Sequence, residues 1–554
     1  MPYFYRMRPL DRIRHGLWLA CGLALLMAAP VAADDVKVTI KTRAPIQSLD
    51  DQGHPTAVSM SLPGSGYILV RTQDDRLILK DAAGKQYLIR IDATDYTPPA
   101  PTSTPSVPSQ PVVTASTATA NVPPITAQTP SPTTTTPVPS TSIATSPAGS
   151  LSGTDTAAIS QLNDALGFTL LVDDHFWDDK LDDVADRLKW PKESATTTEA
   201  SYRRYSKSGT TILDAPAYSM ALYGKNGKPT YISIVYSNAG DFSEAKSLGL
   251  NAAGDAVEKV QTDLAQAVKK DADAIGTKLT AILGQPNITL FGNSSSNRDE
   301  VHRWDWKDVS FLLSAHNGAY TTLKIIPANA ADHFGSVEVT DRQDLKDLLA
   351  QRVVKRDNGD VVISEIPMVD QGPKGYCVPA TWERYLRYVD VPADLYVLAM
   401  IGGTGYGGGT NTDAMRAGVD DYVSAYHRRI EVINDPLDVL HVSRYIDKGL
   451  PLMWTCFITK AGEVEINSHT KTRQTVTDWT TYKLQLAADD KLRETKEPTA
   501  QGTDNGHMRM IIGYNATTDE LAISDSWGER TAERWISVKE ANDISGGDLE
   551  YIQW

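Results

Sequence analysis

Three short stretches carry side chains whose types and spacing suit acyl-bond chemistry. The first runs Gln371-Gly372-Pro373-Lys374-Gly375-Tyr376-Cys377 into Val378-Pro379-Ala380-Thr381. From Cys377 onward the apolar residues Ala380, Trp382, Tyr385, Leu386 and Val389 recur at helical spacing. Pro379 falls in the first turn, where a missing N–H costs nothing. Cys377 is therefore expected at a helix N-terminus, where the helix dipole and free N–H groups favour a thiolate. Gln371, on a Gly-rich turn just upstream, can bring its amide close to the Cys377 backbone N–H, the geometry of an oxyanion hole. Taken alone, Cys377 reads rather as a buried structural thiol.

The second stretch, Gly506-His507-Met508-Arg509-Met510-Ile511-Ile512-Gly513-Tyr514-Asn515, predicts a strand that starts at the histidine and ends in a turn. The third, Leu521-Ala522-Ile523-Ser524-Asp525-Ser526-Trp527-Gly528, predicts the adjacent hairpin strand, ending at an acid followed by Trp527. Paired strands can bring His507 and Asp525 together. Asp525 would then fix the tautomer of His507, and His507 would take the proton of Cys377. His427, His441 and His469 are rival bases, but none opens a strand of this kind. Cys456 lies in the apolar run Leu452–Ile458 and reads as core. The sequence has no His-Glu-x-x-His or Gly-x-Ser-x-Gly motif, and Asp173-Asp174-His175 reads as a solvated loop, so neither a metal nor another cofactor is expected.

Taken together, the Gln-x5-Cys helix start, the Gly-His strand ending in Gly-Tyr and the Ser-Trp-Gly stretch resemble the papain superfamily of cysteine peptidases. The interval from Cys377 to His507, about 130 residues, suits papain-like enzymes. The resemblance covers roughly the last third of the chain. It implies Cys377 as nucleophile, His507 as general base, Asp525 as third triad member, Gln371 as oxyanion donor and Trp527 as the shield of the triad. Val378-Pro379 after the nucleophile, and Asp rather than Asn as third member, look more like the bacterial peptidases that process double-glycine leaders. The cysteines that form disulfides in typical papains are absent. The Gly-rich stretch Ile401–Thr410 is no phosphate loop, since no Gly-Lys-Ser/Thr follows it. In papains a Gly-Gly turn in this place pairs its backbone with substrate, which would give Gly407 and Gly408 that role; a surface loop before a helix is the alternative.

These residues need elements to hold them, and the elements need a chain around them. The expected architecture is an α+β multidomain chain. Residues 1–33 hold a basic segment, an apolar run and Val31-Ala32-Ala33, the pattern of a signal peptide cleaved near Ala33, with an uncleaved anchor as the alternative. Residues 34–96 predict short strands and turns, a small β-barrel resembling bacterial Src-homology-3-like modules, which implies a cell-envelope or peptide ligand. Residues 97–150 are rich in Pro, Thr and Ser and carry no charged or aromatic residue, so they read as an extended linker, either a spacer or a passive tether. Residues 151–356 predict an α+β domain with no recognisable chemistry. It includes a long helix from about Asp255 to Leu283 and a hairpin turn at Asn226-Gly227. Residues 357–554 hold the three stretches above and predict the papain-like fold, a helix against an antiparallel β-sheet.

The formal net charge of −15 argues against a nucleic-acid partner, which would need a basic face. Three Cys in 554 residues exclude a disulfide scaffold. The expected activity is exported cysteine-peptidase hydrolysis of a peptide or protein substrate. Acyl transfer of the transglutaminase or amidase kind, or envelope binding by a non-catalytic relative, are the alternatives.

Overall fold

The computed structural model describes residues 36–41, 45–49, 55–60, 66–73, 76–81, 85–91, 94–96, 153–206, 209–242, 255–292, 298–316, 319–335, 338–372, 375–405, 409–493 and 506–554. The expected export segment 1–33 and linker 97–150 lie outside them. The chain divides into two compact units, Met1–Pro130 and Ser131–Trp554. No described helix is long and apolar enough to cross a membrane.

In the first unit, alternating apolar residues form one antiparallel sheet. Its order is Lys37–Thr39, Gly66–Gln73, Arg76–Lys80, Gln86–Arg90, Pro45–Leu49 and Pro55–Met60. Val38, Ile40, Leu77, Leu79 and Ile89 form its small core. The strands Pro45–Leu49 and Pro55–Met60 were not expected: each begins with proline and neither alternates cleanly. Among the described residues these six strands form one sheet, with no pairing between its two outer strands.

The second unit is built on two antiparallel sheets. The first runs Asn287–Phe291, Asp299–Trp306, Val309–His316, Tyr320–Pro327, Lys228–Asn238, Ser219–Lys225, Glu199–Tyr205 and Lys192–Ala195. Its central hairpin turns at Asn226 and Gly227, with φ of 52° and 75°, the left-handed conformation that a tight primed turn needs. The helix Asp255–Leu283 lies on this sheet and buries Leu264, Val268, Ile275 and Leu279, a stripe at helical spacing. Asp271 falls on the same stripe, where Ser237 N and Oγ donate to its carboxylate at 3.0 and 2.6 Å.

The second sheet runs Val353–Lys355, Asp360–Ile363, Gly506–Asn515, Leu452–Phe457, Ser545–Gln553 and Arg429–Ile433, and Glu520–Ser524 pairs with Gly506–Asn515 and with Arg534–Ser537. The helix Cys377–Tyr388 packs Trp382, Tyr385 and Leu386 into the core of this sheet. Every residue of that helix is buried, including Glu383, Arg384 and Arg387. Its charged face is covered by the first sheet: Tyr223 Oη donates to Glu383 Oε1 at 3.0 Å, and Arg387 Nε donates to Glu199 Oε2 at 3.3 Å.

Candidate functional site

Cys377 is the first residue of its helix, as the proline and apolar spacing predict. Its thiol is buried, and the amides of Val378 and Met508 point at the sulfur. Met508 belongs to the strand that opens with Gly506-His507, and Thr381 Oγ1 fastens helix to strand by donating to Met508 O at 3.3 Å.

The hairpin pairs Met510 with Ser524, so Asp525 continues the second strand beyond its last paired residue. His507 Nε2 meets Asp525 Oδ1 at 2.7 Å, with the histidine 6 % exposed and the aspartate fully buried. That bond leaves Nδ1 for the Cys377 thiol, which helps raise the His507 pKa. Trp527 stacks on the imidazole at 4.7 Å between ring centroids and 26° between planes. A ring held by an acid on one edge and an indole on its face can rotate little.

The charges reinforce one another. Burial pushes the Cys377 thiol up, but the hydrogen bond and charge of His507 outweigh it and the net shift is downward. Burial pulls His507 down, while Asp525 and the thiolate raise it above its ordinary value. Burial opposes ionisation of Asp525 too, yet Arg509, His507 and Arg534 hold its carboxyl well below the usual carboxylate range. Cys456 sits opposite His507 on the neighbouring strand, and burial pushes its thiol up to about 12. The two cysteines thus differ in kind, one biased toward thiolate and the other toward inert thiol.

Sequence reasoning missed the framework behind the acid. Arg509 Nε lies 3.2 Å from Asp525 Oδ1, and Arg534 Nη2 donates to Asp525 Oδ2. Both guanidinium groups also reach Glu463, at 2.8 and 2.7 Å. The available signal was the strand period: Arg509 stands two residues from His507 and so shares its face.

Gln371 is buried beside the same segment, its N donating to Ser526 O at 2.9 Å. Gly407 and Gly408 lie outside the described residues. The base of their loop is anchored near the thiol, where Gly409 N donates to Gly375 O at 2.9 Å. Of the rival bases, His427 is exposed and His441 faces Asp438 at 2.8 Å. His469 contacts Glu520 at 2.6 Å, in a separate buried cluster with Arg473.

Residues 363–546 match the model of the Peptidase_C39 like family. This bears out the resemblance of the C-terminal part to papain-like cysteine peptidases of the C39 type, and it places that part with cysteine-type peptidases, which are hydrolases. Neither a curated protein nor a solved structure matches the chain.

Proposed function

We propose that the chain hydrolyses peptide bonds with Cys377 as nucleophile, His507 as general base and acid, Asp525 as the group that orients His507, and Gln371 with the Cys377 backbone N–H as oxyanion donors. The observation that carries this reading is His507 fixed between Asp525 and Trp527 beside a thiol at a helix N-terminus. The Cys377 sulfur attacks the substrate carbonyl carbon. His507 gives its Nδ1 proton to the departing amine, which leaves a thioester. His507 then takes a proton from water, whose oxygen adds to the acyl carbon, and Cys377 is released. Gly407 and Gly408 are proposed to pair with the substrate backbone.

A lowered Cys377 and a raised His507 make thiolate and imidazolium coexist from the first pKa up to the second. Iodoacetamide should therefore alkylate Cys377 at pH values below the ordinary thiol range, while Cys456 stays unmodified. His507→Ala should move the onset for Cys377 upward. Peptide mapping across pH checks this; faster labelling of Cys456, or a profile indifferent to His507, would sink the triad. Added amine acceptors report acyl transfer if an amide product replaces the acid.

The rest of the proposed organisation rests on sequence: an export segment 1–33, a barrel-like envelope-binding module 34–96, a tether 97–150, an α+β domain 151–356 and a peptidase domain 357–554. Intact mass of the exported protein should place its N-terminus at Asp34, and retention of residues 1–33 would make the segment an anchor.

A further inference from the structure

The residues that match the peptidase family begin at 363, yet the turn that carries Gln371 and the residue before Cys377 are held from outside it. Asp370 precedes Gln371, and both of its peptide groups are bound by the first sheet of the second unit. Tyr205 Oη donates to Asp370 O at 2.6 Å, and Asp370 N donates to Glu193 Oε1 at 3.0 Å. Glu193 is itself fixed by Arg203 Nε at 2.6 Å. Ser194 Oγ accepts from Met368 N at 2.9 Å, two residues earlier. Gly372 has φ of +73°, and a Cβ there would lie 3.0 Å from the Tyr205 ring, so the turn and the tyrosine fit closely.

A second set of contacts reaches the helix start. Tyr376 is the residue immediately before Cys377, and its side chain crosses into the first sheet. Its hydroxyl lies 2.9 Å from Asn238 Oδ1 and 3.1 Å from Asp241 Oδ2. Gly240 makes room for it: a Cβ at that position would stand 2.1 Å from the Tyr376 hydroxyl. Neither set touches the reacting atoms. Each fixes a backbone segment whose neighbour does the chemistry.

We propose that Tyr205, Glu193, Asn238 and Asp241 are positioning residues for the peptidase site, the first two through the Gln371 turn and the last two through Tyr376 and the Cys377 sulfur, so that the family-matched part alone is an incomplete enzyme. The inference rests on the reading of Cys377 as nucleophile and Gln371 as oxyanion donor. It goes beyond that reading by assigning a catalytic duty to a sheet that carries no catalytic residue. Pre-organisation of this kind matters because a displacement of about 1 Å can cost about a hundredfold in rate.

Two probes separate the two locks in the full chain. Alkylation of Cys377 by iodoacetamide needs the thiolate but forms no oxyanion. Acylation by p-nitrophenyl acetate needs both, since the sulfur adds to the ester carbonyl before p-nitrophenolate leaves and a thioester remains. Tyr205→Phe should lower acylation roughly tenfold, the worth of about one buried hydrogen bond, while leaving alkylation and its pH profile unchanged. Tyr376→Phe should slow both reactions and move the alkylation profile to higher pH. Gly240→Ala should do the same by displacing the Tyr376 hydroxyl, and Asn238→Ala carries the test should the others fail to fold. Wild-type rates and profiles in all variants would overturn the inference while the triad stands. Faster reactions would also overturn it, by identifying the contacts as restraints. Parallel losses of both probes in Tyr205→Phe, tracking the folded fraction, would reduce the contact to a structural one. Acylation of the wild type that does not depend on His507 would remove the triad reading, and this inference with it.

Discussion

Asp525 is more than an acceptor for His507. Its carboxylate also closes a square of charge with the buried Arg509 and Arg534 and the half-buried Glu463. The two requirements separate by substitution. Asp525→Asn keeps an oxygen for His507 Nε2, so orientation survives in part, but it removes the anion between two buried guanidinium groups. Breaking a buried ion network from one side costs about 3–5 kcal/mol. Asp525→Ala loses that stability and also frees the imidazole to rotate. Both variants should melt earlier than wild type, and Asn should retain clearly more Cys377 reactivity than Ala. The acid dependence has a definite sign. A carboxyl held below its unfolded value of about 3.9 contributes stability above that value and loses it as pH falls through the folded pKa. Unfolding midpoints of Asp525→Asn should therefore fall less steeply with acid than those of wild type. Equal Cys377 reactivity in Asn and Ala would show that orientation of His507 is not what Asp525 supplies.

At the scale of elements, the site was legible where one segment determines its own conformation. The proline in the first turn and the apolar spacing after Cys377 specify a helix start, and the structure begins its helix there. The apolar strand from Gly506 and its partner from Glu520 follow from alternation and a short turn, and together they bring His507 to Asp525. The helix Asp255–Leu283 follows from length and periodicity, with both ends as expected. What one segment cannot reveal is a partner far away in sequence. Glu383, Arg384 and Arg387 carry no sign of burial in the sequence, because charged residues on a helix are ordinarily exposed. Glu383 and Arg387 are buried because Arg203, Glu199 and Tyr223 arrive from a sheet more than a hundred residues earlier, and Arg384 because Pro367 O, Ser524 Oγ and Ser526 Oγ close over it. The strands Arg429–Ile433 and Ser545–Gln553 mix charge with apolar residues, and pairing makes them strands: Ser545–Gln553 lies between Leu452–Phe457 and Arg429–Ile433, which forms the sheet edge. Tyr376 gave no signal either: a tyrosine before Cys377 looks like any aromatic until the Asn238 side chain meets it.

At the scale of the whole second unit, the two sheets are joined through Glu383. Its carboxylate takes Tyr223 Oη at 3.0 Å and Leu395 N at 2.8 Å, with Arg387 at 3.4 Å and Arg203 at 3.6 Å. Burial pushes its pKa up to about 7 despite the two cations, with Glu193 and Asp394 adding to the rise. A carboxyl raised on folding binds its proton more tightly in the folded chain, so its stabilising share is complete below the unfolded value of about 4.3. That share then declines as pH rises through about 7. Glu540 and Glu550, also raised to about 7 by burial, act in the same direction. The urea midpoint of the full chain should therefore fall between mildly acidic and mildly alkaline pH. Glu383→Gln keeps an acceptor oxygen for Leu395 N and offers its amide N–H to the Tyr223 oxygen, but cannot ionise, so its midpoint should fall less over the same interval. Accumulated over that interval, the difference in stability should amount to at most about 4 kcal/mol, the worth of the Glu383 shift alone. If the two slopes coincide, Glu383 is ionised in the folded chain throughout, and Arg203 and Arg387 fully compensate its burial. If Glu383→Gln splits one urea transition into two, the same carboxylate is also what makes the two sheets unfold together. Since the Tyr205 and Tyr376 contacts bridge the same pair of sheets, Cys377 reactivity should then be lost at the first of those transitions.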